Sequence, residues 1–115
     1  MLDTKDKGYL LKIIEHSKRI VEITRNITKK EYDNSQGYKE MICFNILQIG
    51  ELANRLSDSI TEEYNSIPWK AVKSMRDRIV HDYGVIDFDI VWETSKKDIV
   101  KLREYCEQII NNSSL

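Results

Sequence analysis

The chain has 115 residues, 41% of them hydrophobic and 32% charged, with one proline and four glycines. That length supports one hydrophobic core rather than two, so residues 1–115 are expected to form a single domain. Lys and Arg number 18 against 19 Asp and Glu, a net charge of −1, which excludes a general basic field for coating nucleic acid and confines any RNA contact to a local patch.

Few helix breakers among many Ile, Leu, Glu and Lys predict an all-α protein. The first helix is expected from about Lys5 to Lys30, because Leu10, Ile13, Ile14, Ile20, Val21 and Ile27 recur at three- and four-residue steps. Asn34-Ser35-Gln36-Gly37 marks a turn. The second helix covers roughly Tyr38 to Leu56, with Met41, Ile42, Ile46, Ile49, Leu52, Ala53 and Leu56 as its apolar stripe. Gly50 inside it costs about 1 kcal/mol relative to alanine, which close approach by another helix would justify. The polar stretch Ser57 to Ser66 accommodates a short helix capped by Ser59 or Thr61. Pro68 suits the first turn of a third helix that runs to about Asp82 and stops near Gly84. Asp87 or Asp89 can cap the last helix, whose stripe is Val91, Ile99, Leu102, Cys106, Ile109 and Ile110, and which ends near Asn111 before a tail, Asn-Asn-Ser-Ser, expected to fray. Short links between long amphipathic helices favour an up-and-down antiparallel helical bundle of four main helices plus the short one.

No apolar run reaches the roughly 20 residues a membrane helix needs. The first residues, Met-Leu-Asp-Thr-Lys-Asp-Lys, are polar and lack a signal-peptide core, so a cytoplasmic location is expected. Cys43 and Cys106 lie far apart among apolar neighbours and are expected to be buried thiols. No cluster of His, Cys and carboxylates has metal-ligand spacing, and there is no Gly-rich phosphate loop. No cofactor is expected.

The chemistry-bearing stretch is Met75-Arg76-Asp77-Arg78-Ile79-Val80-His81-Asp82-Tyr83-Gly84, which holds one of two histidines. Imidazole moves protons near neutral pH and guanidinium braces a phosphate, a combination suited to phosphodiester cleavage. On a wheel at about 100° per residue, Ala71, Val72, Met75 and Ile79 share the core-facing arc, while Lys70, Ser74, Asp77 and His81 share the opposite one. Asp77 would then reach His81 across one helical turn, either orienting the ring or forming an ordinary surface pair. Arg76 falls about 140° from His81 on an ideal helix, so the two meet only if the arginine curls round, the helix distorts, or two copies of the chain pool them. Lys70, Lys73, Arg76 and Arg78 give the segment a mild excess of positive charge that could receive RNA phosphate, although such a run is usually a solvated face. His16, amid the first helix, is expected to be structural or superficial.

Three features together resemble the HepT-like branch of the HEPN ribonucleases over most of the chain. They are Arg76-x4-His81-x-Tyr83 with Asp77 after the arginine, the stretch Gln48-Ile49-Gly50-Glu51-Leu52-Ala53-Asn54-Arg55-Leu56-Ser57, and Ile67-Pro68-Trp69 leading to Val85-Ile86-Asp87 and Val91-Trp92. The resemblance implies a HEPN-like homodimer acting as the toxin of a toxin–antitoxin pair and cutting RNA without a metal. It implies that Arg76 and His81 are catalytic. It further implies an MntA-like nucleotidyltransferase antitoxin as partner, which neutralises the toxin by attaching AMP to Tyr83. Asp77, Glu51 and Asn54 are candidates for supporting roles, and Lys70, Lys73 and Arg78 for contacting RNA. The role of Asp82 stays open. The alternatives are a non-catalytic HEPN module that binds nucleotide or serves a nucleotidyltransferase, and a plain helical dimerisation module.

Overall fold

Asp3 starts the first helix by accepting hydrogen bonds from the N–H groups of Lys5 and Asp6 on its carboxylate. In the computed structural model, which describes residues 2–113, this helix (α1) spans Thr4–Arg25. It stops earlier than the apolar periodicity suggests. Thr28 and Glu31 form a capping box, each side chain bonded to the other's backbone N–H, and this begins a separate short helix, α2, at Lys29–Asp33. Ser35 then caps α3, Gln36–Asn54, so Gln36 and Gly37 belong to the helix rather than to the turn.

Next come α4 (Asp58–Glu63), α5 (Trp69–Lys73), α6 (Met75–Ile79), α7 (Phe88–Lys96) and α8 (Asp98–Asn112). The position before α4 is Ser57, not Ser59 or Thr61, and the serine is itself gripped by the buried Asp6, which accepts from its N–H at 3.0 Å and its hydroxyl at 2.6 Å. Asp87 caps α7 as its sequence position predicts. The expected last helix is interrupted at Lys97, giving α7 and α8. Asn111 and Asn112 are helical rather than frayed; Ser114 lies outside the described residues.

The result is an all-α bundle, with no strand among the described residues. Helix α1 packs on α3 and α8, while α7 packs on α3 and α8. Leu10, Ile13, Ile20, Ile42, Ile46, Ile49, Ile79, Ile99 and Ile109 make the centre of the core. Burying each such side chain contributes roughly 1.5–3 kcal/mol. Two predicted core positions are corrected: Met41 and Ala71 are exposed. Met41 is exposed on α3 together with Tyr38 and Phe44, so its apolar character is not spent on the core. Both cysteines are buried free thiols, and burial pushes the Cys106 thiol up to about 12. No helix among the described residues is long and apolar enough to cross a membrane.

Polar groups inside the bundle are paired. Asn45 donates from Nδ2 to the Met41 carbonyl and faces His16 Nδ1 with Oδ1 at 2.7 Å. Because Asn45 has its oxygen left to accept, His16 must carry its proton on Nδ1. His16 is thus structural, tying α1 to α3. Among the described residues no buried side-chain nitrogen or oxygen lacks a partner.

Candidate active site

The motif segment is not the continuous helix that its pattern suggests. Ser74 returns its hydroxyl to the Lys70 carbonyl at 2.7 Å, and the backbone there leaves helical geometry (φ −100°, ψ 12°), separating α5 from α6. Helix α6 then ends at Ile79, well short of Asp82. Val80 is extended and pairs antiparallel with Ile86. The His81 N–H donates to the Val85 carbonyl at 2.7 Å, and the Asp87 N–H to the Ile79 carbonyl at 2.9 Å. These bonds close residues 80–86 into a tight reversal.

This corrects the helical-wheel geometry. His81 has extended dihedrals (φ −96°, ψ −172°), so neither its one-turn relation to Asp77 nor its 140° offset from Arg76 applies. Asp77 instead stands 3.8 Å from Arg76, an exposed and weak pair. The carboxylate nearest His81 is Asp87, with Oδ2 at 3.8 Å from Nε2. In the sequence Asp87 stands out as a helix cap and as part of Val85-Ile86-Asp87, not as a neighbour of His81.

Asp82–Gly84 form a single 3-10 turn at the tip. Within it Tyr83 adopts φ 62° and ψ 22°, and Gly84 follows at φ 74°. Glycine takes such a conformation freely, whereas for tyrosine it costs about 1–2 kcal/mol. Tyr83 is fully exposed. Residues held in this way cluster at functional sites.

His81 lines an open groove of about 370 Å³ with Lys39 of α3 and Phe88 of α7. Lys39 Nζ stands 5.1 Å from the centre of the Phe88 ring. Lys39 was not singled out from sequence, since only the reversal brings it near His81. Lys70, Lys73 and Asp77 share a second groove of about 690 Å³ with Trp69 and Thr61. Arg76 is exposed and lines neither. Arg78 is committed elsewhere, donating to Thr94 Oγ1 at 3.0 Å and Asp98 at 3.1 Å. Glu51 and Asn54 are both exposed on α3; Asn54 Nδ2 donates to the Gly50 carbonyl and, at 3.4 Å, to that of Lys73. Asn54 therefore braces the end of α5. A Cβ on Gly50 would meet the Val72 carbonyl at 3.7 Å, so α5 does approach closely there, though without excluding alanine.

A further cleft of about 210 Å³ lies between α5, α6 and α8, with Val72, Met75, Leu102 and Tyr105 among its lining residues. None of Arg76, His81 or Tyr83 lines it, and its charged lining residues include Arg78 and Asp98, which are paired with each other. Among the described residues no group of His, Cys, Asp and Glu is placed to hold a metal ion.

The family described as ribonuclease HepT-like matches residues 13–109. A candidate RNase from Methanocaldococcus jannaschii is 32% identical over 92% of this chain and 88% of its own length. A longer protein of the same organism, named as a gamma-glutamylcyclotransferase and candidate RNase, is 37% identical over 85% of this chain, but the match spans 44% of that protein. A protein of Thermococcus cleftensis named as a probable ribonuclease HepT is 28% identical over 90% of this chain and 94% of its own. No solved structure matches with significance.

Proposed function

Because this chain belongs to the HepT-like ribonuclease family, we propose that it cleaves RNA without a metal, with Arg76 and His81 as the catalytic pair. The observation that carries this assignment is the reversal at residues 80–86, which follows the helix α6 that bears Arg76 and leaves His81 and Tyr83 exposed. A histidine buried in a core could not meet a phosphodiester; this one can.

The chemistry follows from the groups present. The RNA 2′-OH attacks the adjacent phosphorus, forming the 2′-O–P bond and breaking the bond to the 5′-oxygen. His81 takes the 2′-OH proton or supplies one to the leaving oxygen. Arg76, held by no stronger partner than Asp77 at 3.8 Å, is free to stabilise the charge that builds on the phosphoryl oxygens. The products are a cyclic phosphate and a free 5′-OH. Lys70 and Lys73 extend the positive surface along α5 toward the flanking phosphates, with Asp77 between them and Arg76. Arg78 contributes packing of α6 on α7 and α8 rather than RNA contact, given its bonds to Thr94 and Asp98.

His81, the one histidine at the site in each chain, performs one proton transfer at a time. A homodimer supplies the second, with the exposed Tyr38, Met41 and Phe44 of α3 as the apolar surface that a second copy covers. Lys39, beside Tyr38, lies at the His81 groove, so that surface adjoins the site.

Tyr83 is the acceptor of AMP from a cognate nucleotidyltransferase antitoxin in this proposal. Its complete exposure and left-handed backbone present the phenol to another protein without unfolding the loop. The added phosphate is an anion placed near Arg76 and His81, where it competes with RNA for the same charges. Expression of the chain in a bacterium should arrest growth, and His81→Ala should relieve the arrest. Co-expression with a small nucleotidyltransferase should restore growth and add AMP to the protein by mass, and Tyr83→Phe should abolish both effects. Growth arrest that His81→Ala leaves intact would contradict the proposal.

A further inference from the structure

The groove at His81 is lined by three aspartates that could hold its ring, Asp33, Asp87 and Asp89, with Lys39 as the facing cation. Two of the three are already occupied. Lys29 Nζ donates to Asp33 at 2.8 and 3.0 Å and to Asp89 at 2.9 Å. Those bonds, Asp33's first, hold the Lys29 ammonium above its ordinary value. Asp87 is different, because its two oxygens are divided between two tasks. Oδ1 accepts from the N–H groups of Asp89 and Ile90, capping α7. Oδ2 is left over and faces His81 Nε2 at 3.8 Å.

Both residues sit on a braced backbone. The Val80–Ile86 bridge, the His81-to-Val85 bond and the Asp87-to-Ile79 bond fix the reversal from both sides. Tyr32 of α2 donates its phenolic O–H to the Phe88 carbonyl at 2.7 Å, and Lys29 binds Asp89, so the start of α7 is anchored to α2 as well. A carboxylate whose backbone and second oxygen are pinned is a fixed acceptor. At 3.8 Å the pair is short of a hydrogen bond, and an approach of about 1 Å would reach the roughly 2.8 Å of a charge-assisted one.

We infer that Asp87 is a positioning residue for His81: its Oδ2 holds the proton on Nε2 and leaves Nδ1 as the nitrogen that exchanges protons with RNA. This rests on the ribonuclease assignment for its functional consequence but not for the contact itself. The same residue thereby joins the folding of α7 to the aim of the catalytic ring. His16 makes a natural reference, since its bond to Asn45 requires the opposite tautomer, with the proton on Nδ1.

The test is a long-range proton–nitrogen correlation spectrum of the full chain at about pH 8.5, where ordinary histidines are neutral, for the natural protein and for Asp87→Ser. Serine keeps the helix cap and removes only the carboxylate, and a matched melting temperature checks that it does. The expected result is a His81 ring protonated on Nε2 in the natural protein, a mixed tautomer in Asp87→Ser, and an unchanged Nδ1-protonated His16 in both. A His81 ring that is mixed from the start, or that ignores the substitution, overturns the inference. Cleavage of total RNA is the second arm. Asp87→Ser should lower kcat about tenfold, part of the roughly 10²–10⁴-fold that acid–base catalysis supplies, with KM little changed, and Asp87→Glu should restore part of the loss. If the natural protein cuts no RNA while the tautomer responds to Asp87→Ser, the contact is upheld and the ribonuclease assignment falls. If it cuts RNA and Asp87→Ser cuts equally fast, the positioning role falls and the ribonuclease assignment stands.

Discussion

The contact between α1 and α3 and the reversal at residues 80–86 are built on opposite terms. Along α1 and α3, Leu10, Ile13, Ile20, Ile42, Ile46 and Ile49 are fully buried, and the polar pair His16–Asn45 satisfies itself inside the interface. In the reversal, residues 81–85 are exposed, Tyr83 is strained, and shape is kept by main-chain bonds to Ile79, Val85 and Ile86 rather than by apolar burial. Stability is concentrated in one region and chemical availability in the other. The two separate cleanly because a backbone-braced loop can hold side chains in solvent without asking them to pack.

That contrast is open to attack, beginning with the largest expected effect. Ile46→Ala in the scaffold should cost about 2–5 kcal/mol of unfolding free energy, read by urea denaturation, whereas Tyr83→Ala in the tip should leave the denaturation midpoint almost unchanged. If the two cost the same, the loop carries more of the fold than its burial suggests.

High pH probes the scaffold through its thiols. Burial, with Glu107 adding to it, raises Cys106 from 9.0 to about 12, and burial also raises Cys43. Between pH 9 and 12 the unfolded chain has lost a proton that the folded chain retains. The unfolded state then binds fewer protons, so rising pH favours unfolding. Stability should therefore be flat below about pH 9 and fall above it by on the order of 1 kcal/mol per pH unit. Cys106→Ala should reduce the slope, and an unaltered slope would show that the thiol is not held neutral by the core.

Asn45→Ala strands the half-buried His16 ring and should cost about 1–3 kcal/mol, with no effect on RNA cleavage per folded molecule. Gly50→Ala has the smallest effect. A methyl there meets only the Val72 carbonyl at contact distance, so the gain in helix propensity, about 0.5–1 kcal/mol, should appear as a modest rise in Tm. A loss instead would mean that α5 packs more tightly on α3 than 3.7 Å indicates.

The same contrast explains what the sequence could and could not say. The stripe Leu10-Ile13-Ile14 and its counterpart Ile42-Ile46-Ile49 announce a helical bundle because apolar periodicity and burial are the same fact there. The residues Arg76, His81 and Tyr83 were visible as chemistry. Their geometry was not, because the end of α6 is decided by bonds from Asp87 back to Ile79 and from His81 across to Val85, which no local propensity encodes. Extending the helix to Asp82 put His81 over Asp77 and hid its relation to Asp87. The break at Asn26 to Thr28 was readable in principle, since Thr28-Lys29-Lys30-Glu31 is a capping-box pattern, but the apolar Ile27 sustained the periodicity across it. Met41 and Ala71 misled because a small or apolar residue on a helix need not face its own core.

The most direct measurement is cleavage of a total RNA pool in EDTA by protein whose mass shows Tyr83 to be unmodified, beside Arg76→Ala and His81→Ala proteins of matched Tm. The account predicts chelator-resistant cutting that leaves cyclic phosphate ends and that either substitution lowers by about 10²-fold or more. Absence of cutting, or equal cutting by all three proteins, would contradict it.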